Sequence, residues 1–355
     1  MPESDPRPPI ALRRRTLNSS CSRGARCGGV LLIALVLTLA PAPASGEDRG
    51  GATGAAQFYT LVEGDHEPNQ LVAHLGIGGA DAFREVLLWN PQLHNIYALS
   101  PGARLRIPGL GPRPAFPAFE TDYSKWKIIA SHTSRFVGSP WERVTNIIVS
   151  ANAVNNFFDN AAHPYIAPRD SLSLTYLLGE ISTRTGYTWG KAIGFEDGEL
   201  IEIPAIGGGI CQLPSTVFPA AAKAGLDIVQ RTSHAYFPYF YWGYPEGFGF
   251  DATVAPPWGP DLVIRNLYDH PVRLFARVDP NAQTLTIEVW APPQLIPFHV
   301  EIDGPYLYAA GKYIPTAEAG WVWWSAQAVV SQKVWLDGGM WNRPFWSTYK
   351  RDPHW

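Results

Sequence analysis

The sequence predicts an α+β fold: a small βααβ unit followed by a larger mixed α+β region. Three observations predict it. Residues 57–109 run through short strand-like and helix-like patterns in that order. A helical spacing of apolar residues, Val217, Ala220, Ala221 and Ala224, follows a run of three glycines. Residues 248–254 alternate around Asp251 as a strand does. The composition, 46% hydrophobic and 17% charged, is that of a globular chain. The formal charge is −3 and no basic stretch lies outside the N-terminus, which excludes nucleic acid as an expected partner.

Residues 1–44 carry the pattern of a cleaved export signal. Arg13, Arg14 and Arg15, with Arg23 and Arg26, precede an apolar run from Val30 to Leu39, and Ala42-Pro43-Ala44 offers small residues for cleavage. The run is about half the length that spans a bilayer, so a membrane enters only through an uncleaved signal. Arg14-Arg15 leaves both general and twin-arginine export open. Cleavage removes Cys21 and Cys27 and leaves Cys211 as a single thiol outside the cytoplasm.

Residues 45–56 are small and polar and read as a spacer. Phe58 to Val62 is a strand candidate. Asp65 is placed to cap the helix that carries Leu71, Val72 and Leu75. A second helix from Ala80 to Trp89 has Phe83, Val86 and Leu87 on one face and stops at Asn90-Pro91, since the residue before proline avoids helical backbone. Arg104 to Ile107 is a closing strand. Residues 57–109 therefore resemble a LysM domain. The resemblance lies in Tyr59-Thr60-Leu61-Val62-Glu63-Gly64-Asp65, Asn90-Pro91 and Leu99 to Pro108. It implies binding of peptidoglycan or a related N-acetylglucosamine glycan in a groove. Gly64, Asp65 and His66 would form one wall, and Asn90, Pro91, Leu93 and Asn95 the other. His66 departs from the usual Ser or Thr. The alternative is that Asp65 and Asn90 only cap helices. His66-Glu67 is no zinc motif, because the next histidine, His74, is eight residues on; no metal or other cofactor is expected.

A proline-rich linker, 110–124, leads to the larger region, 125–292. Its strongest signal is Gly207-Gly208-Gly209-Ile210-Cys211-Gln212. A cysteine at a helix start meets unpaired backbone N–H groups that favour the thiolate, the nucleophilic form, and the same groups suit an oxyanion. Downstream, His234 is a candidate to take the thiol proton and Asp251 to orient the imidazole. Cys, His and Asp in that order, on helix, strand and strand, resemble the transglutaminase-like arrangement of papain-type enzymes. The bland readings are a core histidine, a turn-capping aspartate and glycines that allow close packing. Arg135, Arg143 and Arg265 are carboxylate-binding candidates or ion-pair partners. Asp122, Glu142, Glu196, Asp197, Glu199 and Glu202 show no spacing that selects a glycosidase pair.

The same region resembles the VanW-like family. The resemblance is carried by Ser131 to Phe136, Arg143-Val144-Thr145-Asn146, Gly186-Tyr187, Gly207 to Gln212, Ala224 to Arg231, Ser233-His234, Phe250 to Val254, Asp261 to Asn266 and Pro271-Val272. It implies an envelope protein, of a family named after a protein of vancomycin B-type resistance clusters, and it implies no particular reaction. Pro214 and Pro219 depart from the family pattern. Pro219 costs roughly 3 kcal/mol inside a helix, which predicts a kink or a later start. Residues 293–355 form a Trp-rich extension with Trp321, Trp323, Trp324, Trp335, Trp341, Trp346 and Trp355, read as an aromatic core or a sugar-stacking platform.

Three functions remain open on these grounds: a wall-binding protein without catalysis, a Cys211–His234–Asp251 hydrolase or acyl transferase acting on peptidoglycan stem peptides, and a carboxylate-dependent glycan-cleaving enzyme.

Overall fold

The structure is a computed structural model. It describes residues 56–62, 65, 68–79, 81–91, 93, 101–196, 199–238, 241, 247–309, 311–314, 326–336 and 339–350. The export-signal reading, Gly64, His66, Asn95, Trp321, Trp323, Trp324 and Trp355 lie outside these residues. Among the described residues no helix is long and apolar enough to cross a membrane.

The fold is mixed α+β. At the N-terminal end β1 (Phe58–Thr60) pairs antiparallel with β2 (Arg104–Arg106), and α1 (Pro68–His74) and α2 (Ala82–Trp89) lie between them in the chain. Leu61, Leu71, Val86 and Leu105 form the core of this unit. The sequence suggested a module tethered by a linker. In the structure α2 is buried on two sides: Leu87 packs with Leu267, Val334 and Trp341 of the later regions. A helix whose apolar stripe is wide enough to meet two clusters needs a second surface to cover it, and the rest of the chain supplies it. Arg84 pairs with Asp170 at 3.2 Å and Arg265 lies over the Phe83 ring at 5.6 Å. The proline-rich stretch is anchored as well, with Phe119 packed edge-on against Trp126 and Tyr165.

The main core is a three-stranded antiparallel sheet in the order β3 (Lys127–Arg135), β10 (Thr284–Ala291), β9 (Arg273–Asp279). Leu285, Ile287 and Val289 alternate along β10 toward one face and are fully buried there. Two helices cover the sheet: α3 (Trp141–Asp159) against β9 and α5 (Gln212–Lys223) against β3 and β10. Between them in the chain come β4 (Ser171–Ser173), α4 (Leu174–Leu178) and a hairpin of β5 (Trp189–Glu196) with β6 (Glu199–Ile206). After α5, β7 (Asp227–Gln230) and β8 (Val263–Arg265) join β4 in a second sheet.

The C-terminal region is a four-stranded antiparallel sheet ordered β12 (Lys312–Ile314), β11 (His299–Ala309), β13 (Ala326–Leu336), β14 (Gly339–Tyr349). It is joined to the main core rather than appended to it. Phe345 meets Phe218 of α5 edge-on at 5.1 Å. Gln332 Nε2 donates to the Ala222 and Leu226 carbonyls at 2.8 and 3.0 Å, closing the end of that helix. Of the described tryptophans, Trp341 is buried, Trp335 stacks at a tilt on His299, and Trp346 is exposed. They form no single platform.

Candidate active site

The glycine run connects β6 to α5 and owes its composition to close backbone approach. Gly207 and Gly209 adopt φ +82° and +99°, where L side chains are strained. A Cβ on Gly208 would stand 2.4 Å from the Gly190 carbonyl carbon of β5. The loop is held from α3. Asn146 Nδ2 donates to the Thr188 and Gly208 carbonyls and its Oδ1 accepts from the Thr188 amide. Arg143 donates to Ser139 Oγ and Gln212 Oε1, both at 2.6 Å, and Gln212 Nε2 donates onward to Ser134 Oγ and the Arg135 carbonyl. These bonds fix the turn that ends at Cys211.

Cys211 is the N-cap of α5, as its helix-start position suggested. The expected cradle of helix-end N–H groups is largely absent. The Gln212 amide bonds to the Gly209 carbonyl, the Leu213 amide bonds to the Ile210 carbonyl, and Pro214 has no N–H. Pro219 sits within the helix, which neither ends nor starts late on its account. All residues from Gln212 to Ala222 are buried. Packing on every side sustains a helix that local propensity opposes.

His234 and Asp251 both come to Cys211, on irregular segments where strands were expected. Residues 231–234 and 250–255 have no strand ladder. Side chains replace ladder bonds there: Ser215 Oγ donates to the Ala252 carbonyl at 2.9 Å and accepts from the Ala252 amide at 3.1 Å. A single backbone bond, Thr253 amide to Thr232 carbonyl, ties the two segments. His234 Nδ1–H faces Asp251 Oδ2 at 2.8 Å. That leaves Nε2 for the Cys211 sulfur, with which the imidazole interacts electrostatically. As a thiol, Cys211 donates to the Val254 carbonyl at 3.5 Å.

The electrostatics follow from this order. Burial alone would push the Cys211 thiol up, but the hydrogen bond and positive charge of His234 outweigh it and bring the thiol below its ordinary value. Burial would depress His234; the Asp251 and Cys211 hydrogen bonds overcome that and lift it to about 9. Burial would raise Asp251; His234 and then the Arg231 charge bring it down to about 2. Both shifts run toward a thiolate–imidazolium pair, a nucleophile with its proton donor beside it. Tyr241, buried and edge-on to the His234 ring at 5.9 Å, is raised by desolvation and stays a neutral phenol.

Residues 142–290 match the family described as VanW like protein. The VanW-like region thus contains Cys211, His234 and Asp251 together. A Bacillus subtilis (strain 168) protein described as Uncharacterized protein YoaR is 32% identical over 177 residues, 49% of this chain and 52% of that protein. The chain spans about half the length of this curated relative. No solved structure matches, so the likeness to papain-type enzymes rests on the Cys, His, Asp order alone.

Two residues around the VanW-like site had no signal in the reading of the sequence. Arg231 donates to the Asp251 carbonyl and carboxylate, and Tyr349 donates to Asp251 Oδ1 from the last strand. Arg231 stood inside a matching motif without a role attached. Tyr349 lies 98 positions from its partner.

The residues read as a glycan groove fare differently. Asp65 is buried, accepts from the Val62 amide at 2.6 Å and pairs with His74 at 2.6 Å. Asn90 is buried and bridges α2 to β2, with Oδ1 on the Arg106 amide and Nδ2 on the Val86 and Arg106 carbonyls. The Pro91 carbonyl accepts from Arg169 of the VanW-like region, and Leu93 packs into two apolar clusters. The described members of the groove thus brace the unit and dock it. Two of the three arginine candidates are also engaged: Arg265 lies 3.9 Å from Asp227 and Arg143 belongs to the loop network.

Proposed function

We propose that this chain is a cysteine-dependent acyl-transfer enzyme, a hydrolase or transferase, whose nucleophile is Cys211. The observation that carries the reading is the placement of His234 between Asp251 and Cys211, with its Nδ1 on the Asp251 carboxylate at 2.8 Å, its imidazole raised and the thiol lowered. In this reading the sulfur attacks the carbonyl carbon of an amide. The C–S bond forms, the C–N bond breaks, and the imidazolium gives its proton to the departing amine. Water or a second amine then attacks the thioester, leaves a proton on His234, and the C–S bond breaks.

The substrate class we infer is the stem peptide of peptidoglycan. Support comes from the export-type N-terminus, which would bring an active thiol to the envelope, and from the VanW-like match. Incubation of the full chain with soluble muropeptides should give an intact-mass adduct of the acyl group on Cys211, absent in Cys211→Ala. A thiol that alkylates only after unfolding would overturn the assignment.

The second part of the reading is glycan binding by residues 57–109. It rests on the sequence resemblance. With the Asp65 and Asn90 side chains engaged internally, contact would fall to other groups of the two loops. The full chain should sediment with insoluble peptidoglycan and be released by N-acetylglucosamine oligomers. Failure to sediment would remove wall binding from the proposal and leave the thiol chemistry standing.

A further inference from the structure

We propose that Tyr349, on the last strand of the C-terminal sheet, is a positioning residue that holds Asp251 in the orientation His234 requires. The C-terminal sheet is then a working part of the Cys211 site, although it lies beyond residues 142–290. This inference rests on the proposed function and assigns that site a component outside the VanW-like match.

Asp251 is fully buried. Its Oδ2 accepts from the His234 ring and from the His234 amide. Its Oδ1 accepts from Tyr349 and, at 3.2 Å, from Arg231 Nη2. A carboxylate turns about its Cβ–Cγ bond unless both oxygens are held, and only one orientation presents Oδ2 to the imidazole.

Tyr349 is itself fixed. It is buried, its hydroxyl accepts from the Gly249 amide at 2.9 Å, and its ring packs on Phe237 and Phe248 at 5.5 and 5.7 Å. The strand is fastened on both sides of it. Arg231 donates to the Trp346 carbonyl at 3.0 Å and to Ser347 Oγ at 2.8 Å, and the Lys350 amide donates to the Ala235 carbonyl at 2.7 Å, next to His234. One phenol therefore joins β14, the Gly249 turn and the catalytic carboxylate.

Positioning and charge withdrawal have opposite signatures. A phenol that only drew charge from Asp251 would make His234 less basic, so its loss would strengthen the thiolate. A phenol that holds the carboxylate in place keeps the Asp251–His234 bond intact, so its loss weakens the thiolate. The test is the pH profile of Cys211 alkylation by iodoacetamide in the full chain. Tyr349→Phe keeps the ring contacts and removes the hydroxyl.

The expected result is a midpoint raised by about half a pH unit or more, roughly threefold less thiolate below the midpoint, with the melting temperature little changed. In an Asp251→Asn background the same substitution should produce no further shift. An unmoved or lowered midpoint overturns the inference, and so does a shift that persists without Asp251. Should Tyr349→Phe not fold, Ser347→Ala loosens the Arg231 side of the same carboxylate; it should raise the midpoint, and an unmoved profile there counts against the inference. A wild-type thiol that titrates like free cysteine sinks the proposed function and this inference together. A wild-type thiolate with an unmoved Tyr349→Phe profile sinks the inference alone.

Discussion

Replacing His234 by alanine should lower the alkylation rate of Cys211 at pH 7 by on the order of thirtyfold. A free cysteine with an ordinary pKa near 8.5 is only a few per cent thiolate at that pH. In the intact site His234 holds its proton to about 9, and its charge draws the thiol below its ordinary value. Without the imidazole the main opposition to burial is lost, and burial pushes the thiol up. The helix start does not compensate, because the first amides of α5 are bonded to Gly209 and Ile210 and the third position is Pro214. The reduction should shrink as the pH approaches 10 and both forms become thiolate. A His234→Ala chain that alkylates at the wild-type rate at pH 7 would show that the helix end, not the imidazole, activates the sulfur.

The three chemical residues were legible because each sits in a local pattern: a thiol after three glycines, a histidine after a short apolar strand, an aspartate in an alternating segment. Their partners were not. Tyr349 meets Asp251 across 98 positions, and no local periodicity marks a tyrosine whose hydroxyl points inward from an edge strand. The strand expected at 248–254 is missing because Ser215 takes the Ala252 amide and carbonyl that a ladder would use. Pro219 suggested a kink or a later start, and a helix buried along its length starts at Gln212 all the same. The βααβ order was readable from caps and breakers. Its docking was not, because Leu87 looks like an ordinary member of one helical face until Leu267, Val334 and Trp341 are brought against it. Asp65 and Asn90 carried the same letters for capping as for ligand binding; Asn90 does close α2 on the Val86 carbonyl, whereas Asp65 bonds to the Val62 amide and His74 instead of a helix start.

Asp251→Ala should destabilise the fold by about 3–5 kcal/mol at pH 7, read from urea unfolding, because it strands a buried cation. Arg231 is 4% exposed and Asp251 is its carboxylate partner. Removing the carboxylate also leaves the His234 amide and the Tyr349 hydroxyl without their acceptor. The pH dependence gives a second signature. Asp251 has a folded-state pKa of about 2 against an ordinary 3.8, so its contribution is present above about pH 4 and is lost as the pH falls through 2. His234 is raised from 6.5 to about 9, so its contribution is complete below 6.5 and is lost as the pH rises through 9. Wild-type stability should therefore decline at both ends, and Asp251→Ala should flatten both limbs. The acid limb goes with the carboxylate itself. The alkaline limb weakens because His234 keeps only its bond to Cys211. A variant within about 1 kcal/mol of wild type, with both limbs intact, would mean that Asp251 is not the anchor on which Arg231, His234 and Tyr349 converge.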